Sequence, residues 1–159
     1  MTNNEYRLYA FTANLYLSPL QLGLQTAHLV SEISATVATN DLCVDPYWQW
    51  AQADKTIIIC GAANHAGVEE CWAELQRTAT ALGLPCAIFH EDEQSLNGAA
   101  TVCGVVVPKK YWDTKPVKNE DGEIEVWSYI DENWNYTEYP LTHPEGQFID
   151  HIKSFRLAA

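Results

Sequence analysis

The sequence predicts an α/β protein in which helices cover a mixed β-sheet, followed by a C-terminal β-hairpin and a last helix. In the first two thirds of the chain, short apolar runs alternate with longer segments whose apolar residues recur every three or four positions. This is the pattern of strands alternating with amphipathic helices. After position 108, aromatic and polar residues alternate around turn-forming residues, which is typical of a hairpin. With 159 residues, 47% of them hydrophobic, the chain suits one domain with a sizeable core.

The first predicted elements are a strand, a long helix and a short second helix. Residues 5–12 alternate well enough for a strand. Ser18 is a good N-cap and Pro19 suits the first helical position, so we expect a helix that ends around residues 37–40. The pair Asp45-Pro46 repeats this start signal before the short segment YWQWAQA.

Three further strands and one helix follow. Residues 55–60, KTIIIC, form a continuous apolar run, which predicts a buried central strand. The next helix has its N-cap at Asn64 or His65. The other predicted elements are a helix at 66–82 and strands at 87–90 and 101–107.

The chain divides into a core of residues 1–108 and an aromatic-rich extension of residues 109–159. The extension starts with a connector rich in lysine and aromatic residues at 109–117, continues as a hairpin of 123–130 and 133–139, and ends in an amphipathic helix. A separate unit of this size would be only marginally stable. We therefore expect the extension to pack on the same domain as the core.

Charge and cysteine content restrict the class of function. The formal net charge of −12 disfavours general nucleic-acid binding, which depends on neutralising phosphates. Five widely spaced cysteines without a C-x-x-C pair predict reduced thiols in a cytoplasmic protein and no structural zinc. The first residues lack the pattern of a secretory signal, and no apolar run approaches membrane-spanning length, so we expect no membrane partner. We predict no cofactor.

Three other features have a simpler interpretation that the sequence favours. The acidic run HEDE at 90–93 resembles a metal-binding cluster, but consecutive residues cannot converge on one ion, so a solvated loop is the better interpretation. Cys60 could be a nucleophile, but a buried cysteine at a strand end is the commoner case. The loop GAANH before the second long helix could hold an anion, but its spacing matches neither glycine-rich nucleotide motif.

The first long helix carries a polar pair, Gln25 and His28, three residues apart on one face. The simpler interpretation is a buried histidine satisfied by a neighbour. The alternative is a helix that lines a binding or catalytic site.

Several segments together resemble the second class of peptidyl-tRNA hydrolases, found in archaea and eukaryotes. QLGLQTAHLV is similar to that family's K-I-A-A-Q-C-A-H-A run, with Gln25, Ala27 and His28 on identical letters. WAQADKTIII and ALGLPCAIF resemble the family's second and third strands with their preceding segments. HEDEQSLNGAATVCGVVVP resembles its R-D-A-G-x-T-Q…G-x-x-T-V-x-x-I-x-P segment, one residue shorter here. The resemblance covers about residues 5–108 and implies a compact sheet of four strands with helices on its faces.

The resemblance also implies a hydrolytic site between the first helix and the loop after the third strand. The family's aspartate maps onto Glu91, or onto Asp92 given the gap, and its threonine maps onto Ser95. With His28, Glu91 and Ser95 are the candidate catalytic residues. Such a site would activate a water and stabilise an oxyanion during hydrolysis of the ester between peptide and tRNA.

The family's lysines at the first helix are replaced here by Pro19 and Gln21, and the acidic loop adds further negative charge. We therefore expect a binding protein that sequesters a nucleotide-like small molecule, with the aromatic extension covering the pocket. The candidate ligand-binding residues are Gln21, Gln25, His28, Asp92, Lys109, Lys110, Tyr111 and Trp112. Peptidyl-tRNA hydrolysis with an altered active site is the first alternative. A protein-interaction module, for example a homodimer formed through the hairpin aromatics, is the second.

Overall fold

The computed structural model describes residues 5–14, 18–40 and 44–158, with the side chains of 95 and 96 excepted. A four-stranded main sheet consists of β1 (Tyr6–Thr12), β2 (Thr56–Gly61), β3 (Cys86–His90) and β4 (Ala100–Pro108). A second sheet consists of β5 (Lys115–Lys118), β6 (Ile124–Ile130) and β7 (Tyr136–Pro140). The helices are α1 (Pro19–Ala38), α2 (Val44–Gln49) with a π-helical turn at Trp50–Asp54, α3 (His65–Ala81), α4 (Glu93–Leu96), α5 (Lys109–Trp112) and α6 (Pro144–Lys153).

The main sheet is mixed, as predicted, with the strand order β2-β1-β4-β3. β1 pairs with β2 in parallel and with β4 in antiparallel orientation, and β3 is antiparallel to β4. β4 is therefore a central strand, and every one of its residues is buried. The α/β class and the mixed four-stranded sheet are confirmed.

The start signals of the two long helices act as the sequence predicts. The side chain of Ser18 accepts a hydrogen bond from the backbone N–H of Gln21, which satisfies one of the free donors at the start of α1. Asn64, rather than His65, caps α3 by accepting from the N–H of Gly67 at 2.9 Å.

The prediction that residues 55–60 form a central strand is wrong, because β2 lies at the edge of the sheet. Ile57 is 39% exposed. The last two residues of β2 are partly covered by the C-terminal segment, since the N–H of Gly61 donates to the carbonyl of Arg156 and Cys60 forms a bridge with Leu157. An apolar run indicates that the two faces of a strand are covered. It does not indicate whether the strand has a neighbour on one edge or on both.

The extension also differs from the predicted hairpin. Residues 109–117 contain α5 and the start of β5, so the second sheet has three strands in the order β5-β6-β7. β5 has only four residues, all exposed, and includes Pro116. Proline is tolerated at such an edge position, but it makes the segment resemble a connector. β7 begins at Tyr136 instead of 133 because Asp131 holds the turn, accepting from the N–H groups of Asn133 and Asn135.

The two faces of the main sheet carry different layers. One face packs against α1 and the segment around Trp50. The other packs against α3 and α6, together with Trp127 of β6 and Tyr139 of β7. The extension therefore lies on the face opposite α1. Gly104 lets α1 approach closely, since a Cβ there would lie 2.5 Å from Leu29 Cδ2.

No helix in the described ranges combines the length and apolar content needed to cross a membrane.

Candidate functional site

A buried polar cluster lies where α1 crosses the start of β4. The Gln25 side chain is only 3% exposed, and its Nε2 donates to Glu91 Oε1 at 2.9 Å. Thr101 is fully buried, and its hydroxyl donates to Gln25 Oε1 at 2.8 Å. One amide thus joins α1, the loop after β3 and the start of β4. Gln25 and Glu91 are identifiable from the sequence, whereas Thr101, a polar residue at the second position of an otherwise apolar strand, was missed.

The backbone around Glu91 fixes the position of its carboxylate. Glu91 directly follows β3, and its N–H donates to the carbonyl of Ala99 at 3.0 Å, which closes the loop between β3 and β4. The Glu91 side chain is half-buried. It can therefore accept a hydrogen bond from Gln25 and still face solvent or a ligand.

His28 lies one helical turn after Gln25 and contacts Phe89 of β3, with ring centroids 4.4 Å apart. Its Nδ1 is buried and has no hydrogen-bond partner among the described residues. A buried ring nitrogen without a partner is costly. His28 is thus not the satisfied core histidine of the simpler interpretation.

The remaining residues predicted for this site are less informative. Gln21 is exposed and its side chain accepts a hydrogen bond from the hydroxyl of Ser18 at 3.2 Å. Asp92 is exposed in the loop after β3. Ser95 belongs to α4, and its side chain lies outside the described part of the chain. The structure therefore brings Gln25, His28 and Glu91 together, and adds Thr101.

The four candidate residues of the connector lie at the other end of the sheet. Lys109, Lys110, Tyr111 and Trp112 form α5, which directly follows β4, whereas Thr101 lies at the start of that strand. Nine residues of β-strand span about 27 Å at roughly 3.3 Å per residue. The predicted ligand-binding set is thus split between two distant places. The expectation that the extension covers a pocket at α1 is wrong, because the extension packs on the opposite face.

Three of these connector residues line a cavity of about 340 Å³, which we call the lysine pocket. Its lining consists of Tyr6, Pro46, Leu82, Leu84, Pro108, Lys109, Lys110 and Tyr111. The lining combines apolar and aromatic surface with two ammonium groups. Small-molecule sites typically have this mixture and volumes of about 300–1,000 Å³.

The lysine side chains of the pocket are only weakly engaged by other groups. Lys109 Nζ lies 3.9 Å from a carboxylate oxygen of Glu5, a long contact that contributes little at a surface. Lys110 Nζ lies 5.0 Å from the ring centroid of Tyr111. Both ammonium groups can therefore turn toward an anion in the pocket.

Tyr111 anchors the pocket to α6. It is 4% exposed, and its hydroxyl donates to Glu145 Oε2 at 2.7 Å. Burial, and then this carboxylate, raise the pKa of Tyr111, so its hydroxyl stays protonated at neutral pH. Burial also raises the pKa of Tyr6, with Asp45 and Asp54 adding to the effect.

Trp112 has a structural role. Its ring lies under the guanidinium of Arg7, with Cζ 3.5 Å from the ring centroid, and its Nε1 donates to the carbonyl of Glu5 at 3.4 Å. It does not line the lysine pocket. Its contacts hold α5 against the start of β1.

The remaining sequence features are Cys60, the glycine-containing loop and the acidic run at 90–93. Cys60 is buried, and burial raises its pKa to about 11, so it is not a thiolate at neutral pH. The N–H of Ala62 donates to Thr12, and Asn64 caps α3, so these groups of the glycine-containing loop are already used. No group of three His, Cys, Asp or Glu side chains within the described residues is arranged to hold a metal ion.

Neither the models of known protein families nor the curated proteins yield a match to this sequence. The resemblance to peptidyl-tRNA hydrolases therefore stays a prediction that depends on short sequence motifs.

Proposed function

We propose that this protein binds a small nucleotide-like anion in the lysine pocket and sequesters it without turning it over. The observation that carries the proposal is the cavity of about 340 Å³ that is lined by Lys109, Lys110 and Tyr111. A phosphate would lie between the two ammonium groups. The base would lie against Tyr6 and the apolar wall, where stacking on an aromatic ring stabilises any nucleobase.

The charge distribution supports an anionic ligand at this place. The chain has only nine basic residues against twenty-one acidic ones, yet two of the nine are adjacent in one cavity. Low-dielectric walls concentrate the field of such a pair. A small anion with one or two phosphates can reach the pocket, whereas a long polyanion would also meet the acidic surface around it.

The lining of the pocket favours binding over catalysis. Among the described residues that line it there is no carboxylate, imidazole or thiol. Tyr6 and Tyr111 both have a raised pKa, so neither is a base at neutral pH. Donors and cations are present, but no group is suited to activate a water.

Thermal shift across a panel of mononucleotides and dinucleotides tests the proposal. A ligand at one hundred times its dissociation constant stabilises by about 2.7 kcal/mol. For a domain of this size that corresponds to a rise in Tm of roughly 5–10 °C. If no member of the panel shifts Tm, the ligand class is wrong.

A matched pair of variants tests the location. Lys109→Ala/Lys110→Ala should abolish the shift. Lys115→Ala/Lys118→Ala changes the net charge equally, but on the exposed strand β5, and should preserve the shift. Equal loss in both double variants would mean that the effect is one of general charge.

Peptidyl-tRNA hydrolysis at the polar cluster is the second candidate, favoured by the contact of Gln25 with both Glu91 and Thr101. In this reaction a water oxygen would attack the ester carbonyl while Glu91 or His28 takes its proton, and the released ribose oxygen is then protonated. Against it stands the acidic loop, which repels tRNA phosphates. Release of peptide from a peptidyl-tRNA that is lost in both Glu91→Gln and His28→Ala would support this candidate. It predicts no effect of Lys109→Ala/Lys110→Ala on turnover of a short substrate.

A further inference from the structure

Two cysteines and a histidine from three different elements meet on the α3 side of the main sheet. Cys71 lies in α3 and Cys103 lies in the middle of β4. The thiol of Cys103 points at α3 and donates to the carbonyl of Val68, one helical turn before Cys71, at 3.8 Å. His151 of α6 lies beside them, with Nε2 at 3.2 Å from the backbone oxygen of Cys71. None of these residues belongs to the polar cluster or to the lysine pocket.

The two thiols differ in access to solvent. Cys71 and His151 line a cavity of about 350 Å³, whose wall also includes Gly61, Ala62 and Phe155. Cys71 is 2% exposed, whereas Cys103 is fully buried and does not line this cavity. A small molecule that enters the cavity therefore meets Cys71 first.

The surroundings of Cys71 favour the thiolate. The neighbouring Cys103 thiol lowers the pKa of Cys71 most, burial opposes this effect, and His151 lowers the pKa further, to about 6. The neighbouring Cys71 thiol and burial raise the pKa of Cys103. Three other titratable groups lie nearby. Cys86 of β3 acts on Cys103, Glu74 of α3 acts on His151, and Cys60 of β2 is itself affected by Cys71.

We propose that Cys71 is a peroxide-reactive cysteine and that Cys103 is its resolving partner, so that a hydroperoxide converts the pair into a reversible disulfide between α3 and β4. The Cys71 thiolate attacks one oxygen of the hydroperoxide, the O–O bond breaks, and a sulfenic acid forms. The second oxygen leaves with the bonding electrons and takes a proton from His151 or solvent. The sulfur of Cys103 then attacks the Cys71 sulfur, the S–O bond breaks, and the hydroxyl leaves with the Cys103 proton as water. The two thiols lose two electrons and the hydroperoxide gains them.

Exposure alone would not select Cys71 as the reactive thiol. Cys86 of β3 is more exposed than Cys71 and would be oxidised first if access decided the site. The geometry instead predicts Cys71, because His151 lies beside it and the Cys103 thiol lies against the preceding turn of α3.

The test is intact-mass spectrometry and peptide mapping of the wild-type protein after treatment with about one equivalent of hydrogen peroxide. We expect the loss of two hydrogen atoms, a cross-link between the peptides of Cys71 and Cys103, and recovery of the original mass with a dithiol reductant. Oxygen addition at Cys86 before Cys71, or no cross-link between Cys71 and Cys103, would overturn the proposal. This readout uses the wild-type chain and does not depend on how any variant folds.

Variants then separate the two roles. In Cys103→Ser, Cys71 should gain one oxygen and react with dimedone, since the resolving thiol is missing. Cys60→Ser is the matched control and should form the disulfide as the wild type does.

The rate of Cys71 oxidation should rise with pH around a midpoint of about 6. A midpoint near the ordinary thiol value of about 8.5 would contradict the assignment of Cys71 as the reactive thiolate.

Discussion

Replacing Gln25 by leucine tests whether this side chain holds three elements together. Gln25→Leu has nearly the same size, but it removes the hydrogen bond to Glu91 and leaves the buried hydroxyl of Thr101 without its acceptor. A hydrogen bond to a charged group is worth about 1.5–3 kcal/mol, and an unsatisfied buried hydroxyl costs about 1–3 kcal/mol. Because Glu91 is half-buried and can turn to water, we expect a net loss of roughly 2–4 kcal/mol in the free energy of unfolding.

Urea denaturation, with the midpoint compared at a constant slope, measures this loss. For a domain of this size it also corresponds to a fall in Tm of roughly 5–15 °C. Gln21→Leu is the matched control, because Gln21 lies one turn earlier on an exposed part of the same helix and should change stability by less than about 0.5 kcal/mol.

A double-mutant cycle measures the coupling energy between Gln25 and Thr101. Thr101→Val removes the donor hydroxyl with little change in volume. The loss in the free energy of unfolding of Gln25→Leu/Thr101→Val should therefore be smaller, by roughly 0.5–3 kcal/mol, than the sum of the losses of the two single variants. If Gln25→Leu is no less stable than Gln21→Leu, or if the cycle shows simple additivity, the cluster does not hold these elements together.

Further variants address the packing, the alkaline pH range and self-association. Gly104→Ala should cost roughly 3 kcal/mol in denaturant unfolding, because the new Cβ would lie 2.4 Å from the Tyr9 carbonyl, and wild-type stability would contradict this packing. Above about pH 9 the free energy of unfolding should fall as pH rises, since the buried Cys60 thiol, with a pKa raised to about 11, keeps its proton while the unfolded thiol loses it. Cys60→Ala should flatten that part of a plot of Tm against pH, and an unchanged slope would refute the assignment. Trp127→Ala should lose about 3–5 kcal/mol because this ring is 6% exposed, whereas Trp134→Ala, at 85% exposed, should leave Tm unchanged. The homodimer hypothesis further requires Trp134→Ala to lower the mass in light scattering, so an unchanged mass would count against it.

Local signals were sufficient to predict much of the fold. The Ser18-Pro19 pair set the start of α1, Asn64 set the start of α3, and the apolar run before Pro108 predicted β4. Each of these features depends on residues a few positions apart. The order of strands depends on contacts between distant segments, and so the edge position of β2 could not be predicted from its own residues.

The candidate site was predicted only in part for a similar reason. Gln25 and Glu91 were identified from motifs, but the role of Thr101 depends on which way the first turn of β4 faces. Lys109 comes eighteen residues after Glu91 in the sequence. β4 occupies half of that interval and carries the chain to the opposite end of the sheet. Tyr6 was missed because it joins the lysines only through the pairing of β1 with β4.

Native mass spectrometry of the protein purified from cells tests the central claim, which is the sequestration of a nucleotide-like anion in the lysine pocket. We predict an added mass equal to a nucleotide or dinucleotide, present in the wild type and in Lys115→Ala/Lys118→Ala and absent from Lys109→Ala/Lys110→Ala. If the added mass persists in Lys109→Ala/Lys110→Ala and is lost instead in Gln25→Leu variants that remain folded, the ligand is held at the polar cluster, and the account given for the lysine pocket is wrong.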